Sequence, residues 1–94
     1  MDKRVSSRGI IIDNNSIYLM FRRRINADGL VKEYYVIPGG GIELGETLEE
    51  NVKRELKEEF SVNVNILGYL GKDEGESTIA NFFACEIVEG IPKL

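Results

Sequence analysis

Short apolar stretches recur along this chain, and in 62–70 apolar and polar residues alternate, the pattern typical of a half-buried β-strand. Apolar stretches bounded by turn residues predict strands at 5–12, 17–21, 34–37, 62–70 and 79–88. Residues 13–16 have turn chemistry, so we expect the first two strands to form a hairpin. Pro38 ends the third strand, and Gly39 to Gly41 predict a loop because glycine disfavours regular structure.

One segment has helical periodicity instead. Thr47 and Glu50 have the spacing of a capping box, which predicts a helix from Leu48 to Phe60. Apolar residues recur along one side of it and form a stripe that faces the core: Leu48, Val52, Leu56 and Phe60. One strong helix among strands predicts an α/β or α+β fold, with residues 1–94 in a single domain.

Three glutamates, Glu55, Glu58 and Glu59, fall along one margin of that stripe. Like charges three or four residues apart cost roughly 0.2–0.5 kcal/mol per pair, and the helix dipole disfavours anions in the last turn. Arg54 can pair with Glu58, as in an ordinary salt-bridged surface helix, but Glu55 and Glu59 lack basic partners at helical spacing. A divalent cation held by these carboxylates would explain them; a salt-bridged surface helix is the alternative.

Composition narrows the chemistry further. The chain has no His, which excludes a Ser-His-Asp system and His-ligated zinc. Its single cysteine, Cys85, excludes an internal disulfide and fits a reducing compartment, so we expect a cytoplasmic protein. Carboxylates, hydroxyls and backbone oxygens remain, and these suit a hard cation.

The charge distribution limits the partners. The net charge is −4, although residues 1–32 carry seven basic against three acidic side chains. A nucleic-acid surface would need a basic total, so we expect no nucleic-acid partner. No stretch is apolar enough for a signal peptide or a membrane span, so we expect no membrane partner either.

The glycine-rich segment before the helix has its own alternative. Gly40, Gly45 and Thr47 have the spacing of a phosphate-binding Walker loop, but Glu46 stands where that loop requires lysine. A carboxylate there repels phosphate, which excludes this interpretation. The loop carbonyls and Glu46 would more naturally face a cation.

Together these positions resemble the Nudix box, G-x5-E-x7-R-E-U-x-E-E-x-G-U, where U is aliphatic. Gly40, Glu46, the run 54–59 and Val62 match it, and Pro38-Gly39-Gly40 before it is also similar to Nudix hydrolases of the MutT type. One position departs, because Ser61 stands where the box has glycine. A helix end there commonly requires a left-handed residue, which serine adopts only at some cost.

The resemblance implies a mixed β-sheet sandwiched by helices. It also implies hydrolysis of a nucleoside diphosphate linked to another group, with Mg²⁺ or Mn²⁺. Glu55 and Glu59 match the metal-binding glutamates. Glu58 matches an acidic position that binds metal or orients and deprotonates water, and Arg54 matches the arginine that holds the glutamates in place.

The remaining matched positions lie in the loop. The Gly39 carbonyl matches the backbone metal ligand, and Gly40 and Glu46 match the structural positions. Outside the box, Arg22 or Arg23 could clamp a phosphate of a nucleotide-type substrate where the arginine run leaves the second strand. A solvated arginine run is the equal alternative.

Members of this family usually continue with a further strand and a closing helix, but here only residues 89–94 follow the last predicted strand. We therefore expect a piece of a longer protein with one apolar face uncovered, which pairs with a second copy as a homodimer. Hydrolysis by this form is expected to be weak or absent. The alternative function is a non-catalytic Nudix-like module that binds a nucleotide or a protein.

Overall fold

The computed structural model describes residues 2–92 and contains one helix and seven strands in that range. In chain order they are β1 (Arg4–Asp13), β2 (Ser16–Ile17), β3 (Met20–Ile25), β4 (Val31–Val36), β5 (Gly39–Gly41), α1 (Leu48–Phe60), β6 (Asn63–Glu74) and β7 (Thr78–Glu89). The predicted mixture of strands with one strong helix is confirmed, and α1 has the predicted bounds. Within residues 2–92, however, helical packing comes from α1 alone rather than from helices on both faces.

β1 is the central strand of the main sheet. It pairs in parallel with β7 and antiparallel with β2 and β5, and β6 pairs antiparallel with β7. β3 and β4 form a separate two-stranded antiparallel sheet. The parallel pair joins the beginning of the described chain to its end.

The prediction that Gly39 to Gly41 form a loop is wrong. These residues are β5, and they pair with Arg8, Ser7 and Ser6 of β1. A Cβ on Gly39, whose φ is +151°, would overlap the Ser7 carbonyl oxygen. The glycines are therefore needed because two backbones approach closely, and the strand forms through a partner far away in the sequence.

The second predicted strand is also divided differently. β2 ends at Ile17, and β3 begins at Met20 and continues through Arg22–Arg24, which were expected to leave the strand. Pairing with β4 extends β3 over the arginines. Tyr18 lies between β2 and β3 and packs against Phe60, with ring centroids 6.1 Å apart. The expected hairpin of the first two strands is present but short.

The core lies between α1 and one face of the main sheet. Buried residues of this core are Ile11, Val52, Leu56, Phe60, Val62, Val64, Phe83 and Cys85, with Leu48 partly buried beside them. A Cβ on Gly9 of β1 would lie 2.7 Å from Leu56 Cδ1, so this glycine lets the helix approach the central strand closely.

The opposite sheet face has no helix over it in the described part of the chain. It carries Ile10, Phe82 and Ala84, which alternate with the core residues and are only half-buried. Residues 2–92 contain no helix that is long and apolar enough to cross a membrane.

Candidate active site

The helix is fixed at its N-terminus by local and distant hydrogen bonds. The Glu50 amide donates to Thr47 Oγ1 at 3.1 Å, and the Thr47 amide donates to Glu50 Oε1 at 2.8 Å, so the predicted capping box is present. Ser7 Oγ of β1 donates to the Leu48 carbonyl at 2.8 Å, and Asn51 Nδ2 donates to the Gly41 carbonyl at 3.1 Å. These contacts set the position of α1 relative to β1 and β5.

Arg54 connects the loop to the glutamates. Its Nε donates to Glu46 Oε2 at 2.6 Å and its Nη2 to Glu46 Oε1 at 3.1 Å, a bidentate pair. Its Nη1 lies 3.1 Å from Glu55 Oε1 and 3.2 Å from Glu58 Oε1. The cation that Glu46 faces is therefore the Arg54 guanidinium, which lowers the pKa of Glu46 to about 2, mainly by this hydrogen bonding.

Glu55 and Glu59 have no basic partner at helical spacing, but each has a basic partner elsewhere. Arg54 reaches Glu55 beside it on the helix, and Arg22 Nη2 of β3 lies 3.8 Å from Glu59 Oε2. Helical spacing alone reveals neither contact, because one joins sequence neighbours and the other crosses from a different strand.

Glu55 lies directly against the glycine strand. A Cβ on Gly40 would be 2.5 Å from Glu55 Oε1, so only glycine admits the carboxylate here. The Glu55 side chain is 14% exposed. The matched glycine of the box thus makes room for a matched glutamate.

Glu59 is the carboxylate of the site whose pKa is raised. Its side chain is 13% exposed, and its buried Oε1 has no hydrogen-bond partner among residues 2–92. Burial, followed by the charge of Glu55, raises its pKa to about 7, while the Gly39 backbone, Arg22 and Arg8 act in the opposite direction. A buried oxygen without a partner beside a second carboxylate is a fitting donor set for a divalent cation.

Glu58 stands apart from this pair. It is 58% exposed and pairs with Arg54 on the outer side of the helix. Over residues 2–92, no three carboxylate, cysteine or histidine side chains converge on a common metal position. The structure therefore brings Glu55 and Glu59 together beside Gly39 and Gly40, and it does not bring Glu58 to them.

Of the two arginines considered for phosphate binding, only Arg22 reaches the site. Arg23 follows it in β3, points to the other face of the two-stranded sheet, and stands opposite Glu33 of β4. Arg22 is half-exposed at 51%. The structure places Arg22, and not Arg23, beside the carboxylate pair.

Sequence reasoning missed two supporting residues, Asn51 and Arg8. Asn51 is fully buried, and helical spacing from Leu48 could have found it, since a polar residue on the apolar stripe must be hydrogen-bonded. Arg8 Nη1 donates to the Ile37 carbonyl at 2.7 Å and so fixes the residue before Pro38. No sequence signal pointed to that contact.

Comparison with known proteins gives a consistent result. The NUDIX domain model matches residues 3–93. An ADP-ribose pyrophosphatase of Methanocaldococcus jannaschii is 34% identical over 92 residues, which are 92% of this chain and 52% of that protein. The nucleoside triphosphatase NudI of Enterobacter sp. (strain 638) is 38% identical over 56 residues, which are 60% of this chain and 39% of that protein.

Solved structures agree on the fold. The crystal structure of a UDP-X diphosphatase matches with a TM-score of 0.77 at 21% identity, covering 100% of this chain and 46% of that one. A Nudix hydrolase from Nitrosomonas europaea matches with a TM-score of 0.76 at 22% identity, covering 96% of this chain and 50% of that one. This chain spans about half the length of these proteins or less. The domain match, together with the box on β5 and α1, shows that the chain belongs to the Nudix hydrolase family.

Proposed function

We propose that this chain hydrolyses the diphosphate linkage of a nucleotide derivative, with Mg²⁺ or Mn²⁺ bound by Glu55 and Glu59. The observation that carries the proposal is the buried Glu59 Oε1, which has no partner within residues 2–92 and lies beside a second carboxylate. The names of the two relatives, a pyrophosphatase and a triphosphatase, support it because both denote cleavage within a nucleotide's phosphate chain.

Each residue of the site has a separate role in the proposed reaction. Glu55 and Glu59 would hold the ion, with the Gly39 carbonyl as the backbone ligand that the family resemblance implies. When bound, the ion neutralises charge on the diphosphate and lowers the pKa of a bound water. Exposed Glu58 would take the proton from the attacking water, Arg54 keeps the glutamates in place, and Arg22 donates to a substrate phosphate.

The test measures product release from nucleoside triphosphates, ADP-ribose and dinucleoside polyphosphates, with and without Mg²⁺. We expect metal-dependent release, lowered roughly 10–100-fold or more in Glu59→Gln. Glu49→Gln is the matched control, because Glu49 is an exposed glutamate in the first turn of the same helix. Release that does not depend on metal, or that both variants lose equally, would contradict the proposal.

A non-catalytic nucleotide-binding module is the second candidate, and the position of Glu58 favours it. With Glu58 held outward by Arg54, only two carboxylates meet at the proposed ion site in residues 2–92. This candidate predicts that nucleotides bind in a Mg²⁺-dependent manner without product release. Calorimetric titration beside the release assay separates the two functions.

A further inference from the structure

The two-stranded sheet of β3 and β4 has two faces of different charge. One face carries the cross-strand pairs Phe21–Tyr35, Arg23–Glu33 and Ile25–Val31. The other, which we call the cationic face, carries Arg22 opposite Tyr34 and Arg24 opposite Lys32. The first face holds one charge of each sign, whereas the cationic face holds three positive charges and no negative one.

The pairing of Arg24 with Lys32 is unfavourable for the sheet itself. Like charges directly opposite each other destabilise a strand pair, whereas opposite charges such as Arg23 and Glu33 stabilise it. Neither Arg24 nor Lys32 has an ion-pair partner among residues 2–92. Sheet stability therefore gives no reason for this pair, but an anionic ligand bound across it would.

The cationic face begins at the carboxylate site. Arg22 Nη2 lies 3.8 Å from Glu59 Oε2, and Arg24 follows two residues later, about 6.8 Å further along the strand. On β4, Lys32 Nζ lies 5.5 Å from the centroid of the ring of Tyr34, the residue that pairs with Arg22 of β3. A row of positive charge thus leads away from Glu55 and Glu59.

We infer that the cationic face binds the phosphate chain of a nucleoside triphosphate, so that the site prefers such a substrate to ADP-ribose. The inference rests on the proposed function and names its substrate class. Arg22 and the metal ion are enough for the two phosphates of any substrate of the proposed reaction. Arg24 and Lys32 supply two further charges, which a third phosphoryl group would use and an uncharged ribose would not.

The test compares ATP with ADP-ribose, which share the same adenosine. We expect Arg24→Ala to lower kcat/KM about tenfold for ATP and less than about twofold for ADP-ribose. Arg23→Ala is the matched control, because Arg23 is the exposed neighbour on the other face, and it should leave both values within about twofold. Arg24→Lys should restore most of the ATP activity, since it retains the charge.

Calorimetric titration with inorganic tripolyphosphate and Mg²⁺ gives a second measurement that needs no turnover. Arg24→Ala should raise the Kd about tenfold, and Arg23→Ala should not. Equal effects of the two variants, or an unchanged Kd in Arg24→Ala, would overturn the inference. If the unaltered chain releases product from no nucleotide, the proposed function fails while the titration still decides this inference. If ATP and ADP-ribose are both hydrolysed and Arg24→Ala lowers them equally, the inference alone fails.

Discussion

At the scale of single residues, Ser61 shows how one backbone angle carries a measurable cost. It ends α1 with φ 61° and ψ 36°, the left-handed conformation that the resemblance led us to expect at this position. Ser61→Gly should therefore stabilise the protein by about 0.5–1 kcal/mol. Denaturant melts measure this change, and Ser61→Ala, which keeps the Cβ, should show no such gain.

Glu59 gives a prediction about metal binding. Mg²⁺ should raise the Tm of the unaltered chain, because an ion that binds only the folded state stabilises it by mass action. Glu59→Gln should remove most of that increase, and without metal above pH 7 it should melt no lower, since it removes a buried, repelled charge. Thermal melts in a Mg²⁺ series check both points. Glu58→Gln is the control and should keep most of the response; an unchanged response in Glu59→Gln would contradict the assignment.

Glu46 gives a prediction about pH. Its pKa falls from 4.5 to about 2 on folding, chiefly through hydrogen bonding to Arg54, so the unfolded chain binds the proton more readily. The stabilisation from this pair is present above pH 4.5 and is lost as the pH falls towards 2. Unfolding free energies measured across that range should decrease less steeply in Glu46→Gln. Identical slopes for the two proteins would show that the pair does not act this way.

These residues also show what sequence spacing could and could not reveal. The capping box and the Arg54–Glu58 pair are contacts within one helix, and spacing predicts both; the left-handed conformation at Ser61 is what the family resemblance implies. The contact of Arg22 with Glu59 and the burial of Asn51 against Gly41 join different elements. Helical periodicity carries no information about which strand will lie beside a given side chain.

At the scale of elements, the packing of α1 on β1 depends on Gly9. A Cβ there would lie 2.7 Å from Leu56 Cδ1, 3.1 Å from Val52 Cγ2 and 3.3 Å from Cys85 Sγ. Gly9→Ala should destabilise the protein by roughly 1–3 kcal/mol because the helix must shift. Denaturant melts measure the loss, and Gly68→Ala in β6 is the control, since a Cβ at Gly68 meets no atom within 4 Å. Equal effects of the two changes would refute this account of the helix position.

The same distinction explains which elements could be predicted. The helix was found with its exact bounds because its capping and its apolar stripe are local signals. The glycine strand was missed because only pairing with β1 makes it a strand, and glycine has no strand preference of its own. The apolar pattern predicts too early an end for β3 for a similar reason, because pairing with β4 extends this strand beyond its apolar residues to Arg22–Arg24.

At the scale of the whole molecule, the exposed edge strand β6 predicts self-association. β6 is an edge strand of the sheet, and its Leu67 and Leu70 are 62% and 57% exposed. We expect sedimentation velocity to show a dimer or a larger species, because exposed strand edges and apolar patches favour pairing. Leu70→Glu should shift the protein towards monomer, whereas Asn26→Glu, which adds the same charge in the turn before β4, should not. A monomer at all concentrations would contradict the prediction.

The parallel pairing of β1 with β7 has a consequence for how the protein is made. The helix and the β3–β4 hairpin involve neighbouring residues and can form while the chain is still leaving the ribosome. The central strand β1 leaves the ribosome before these elements, whereas its partner, from Thr78 to Cys85, leaves after them. Closing so long a loop is slow, so the core beneath Gly9 is completed only after β7 has been synthesised, and β1 stays open to wrong partners until then.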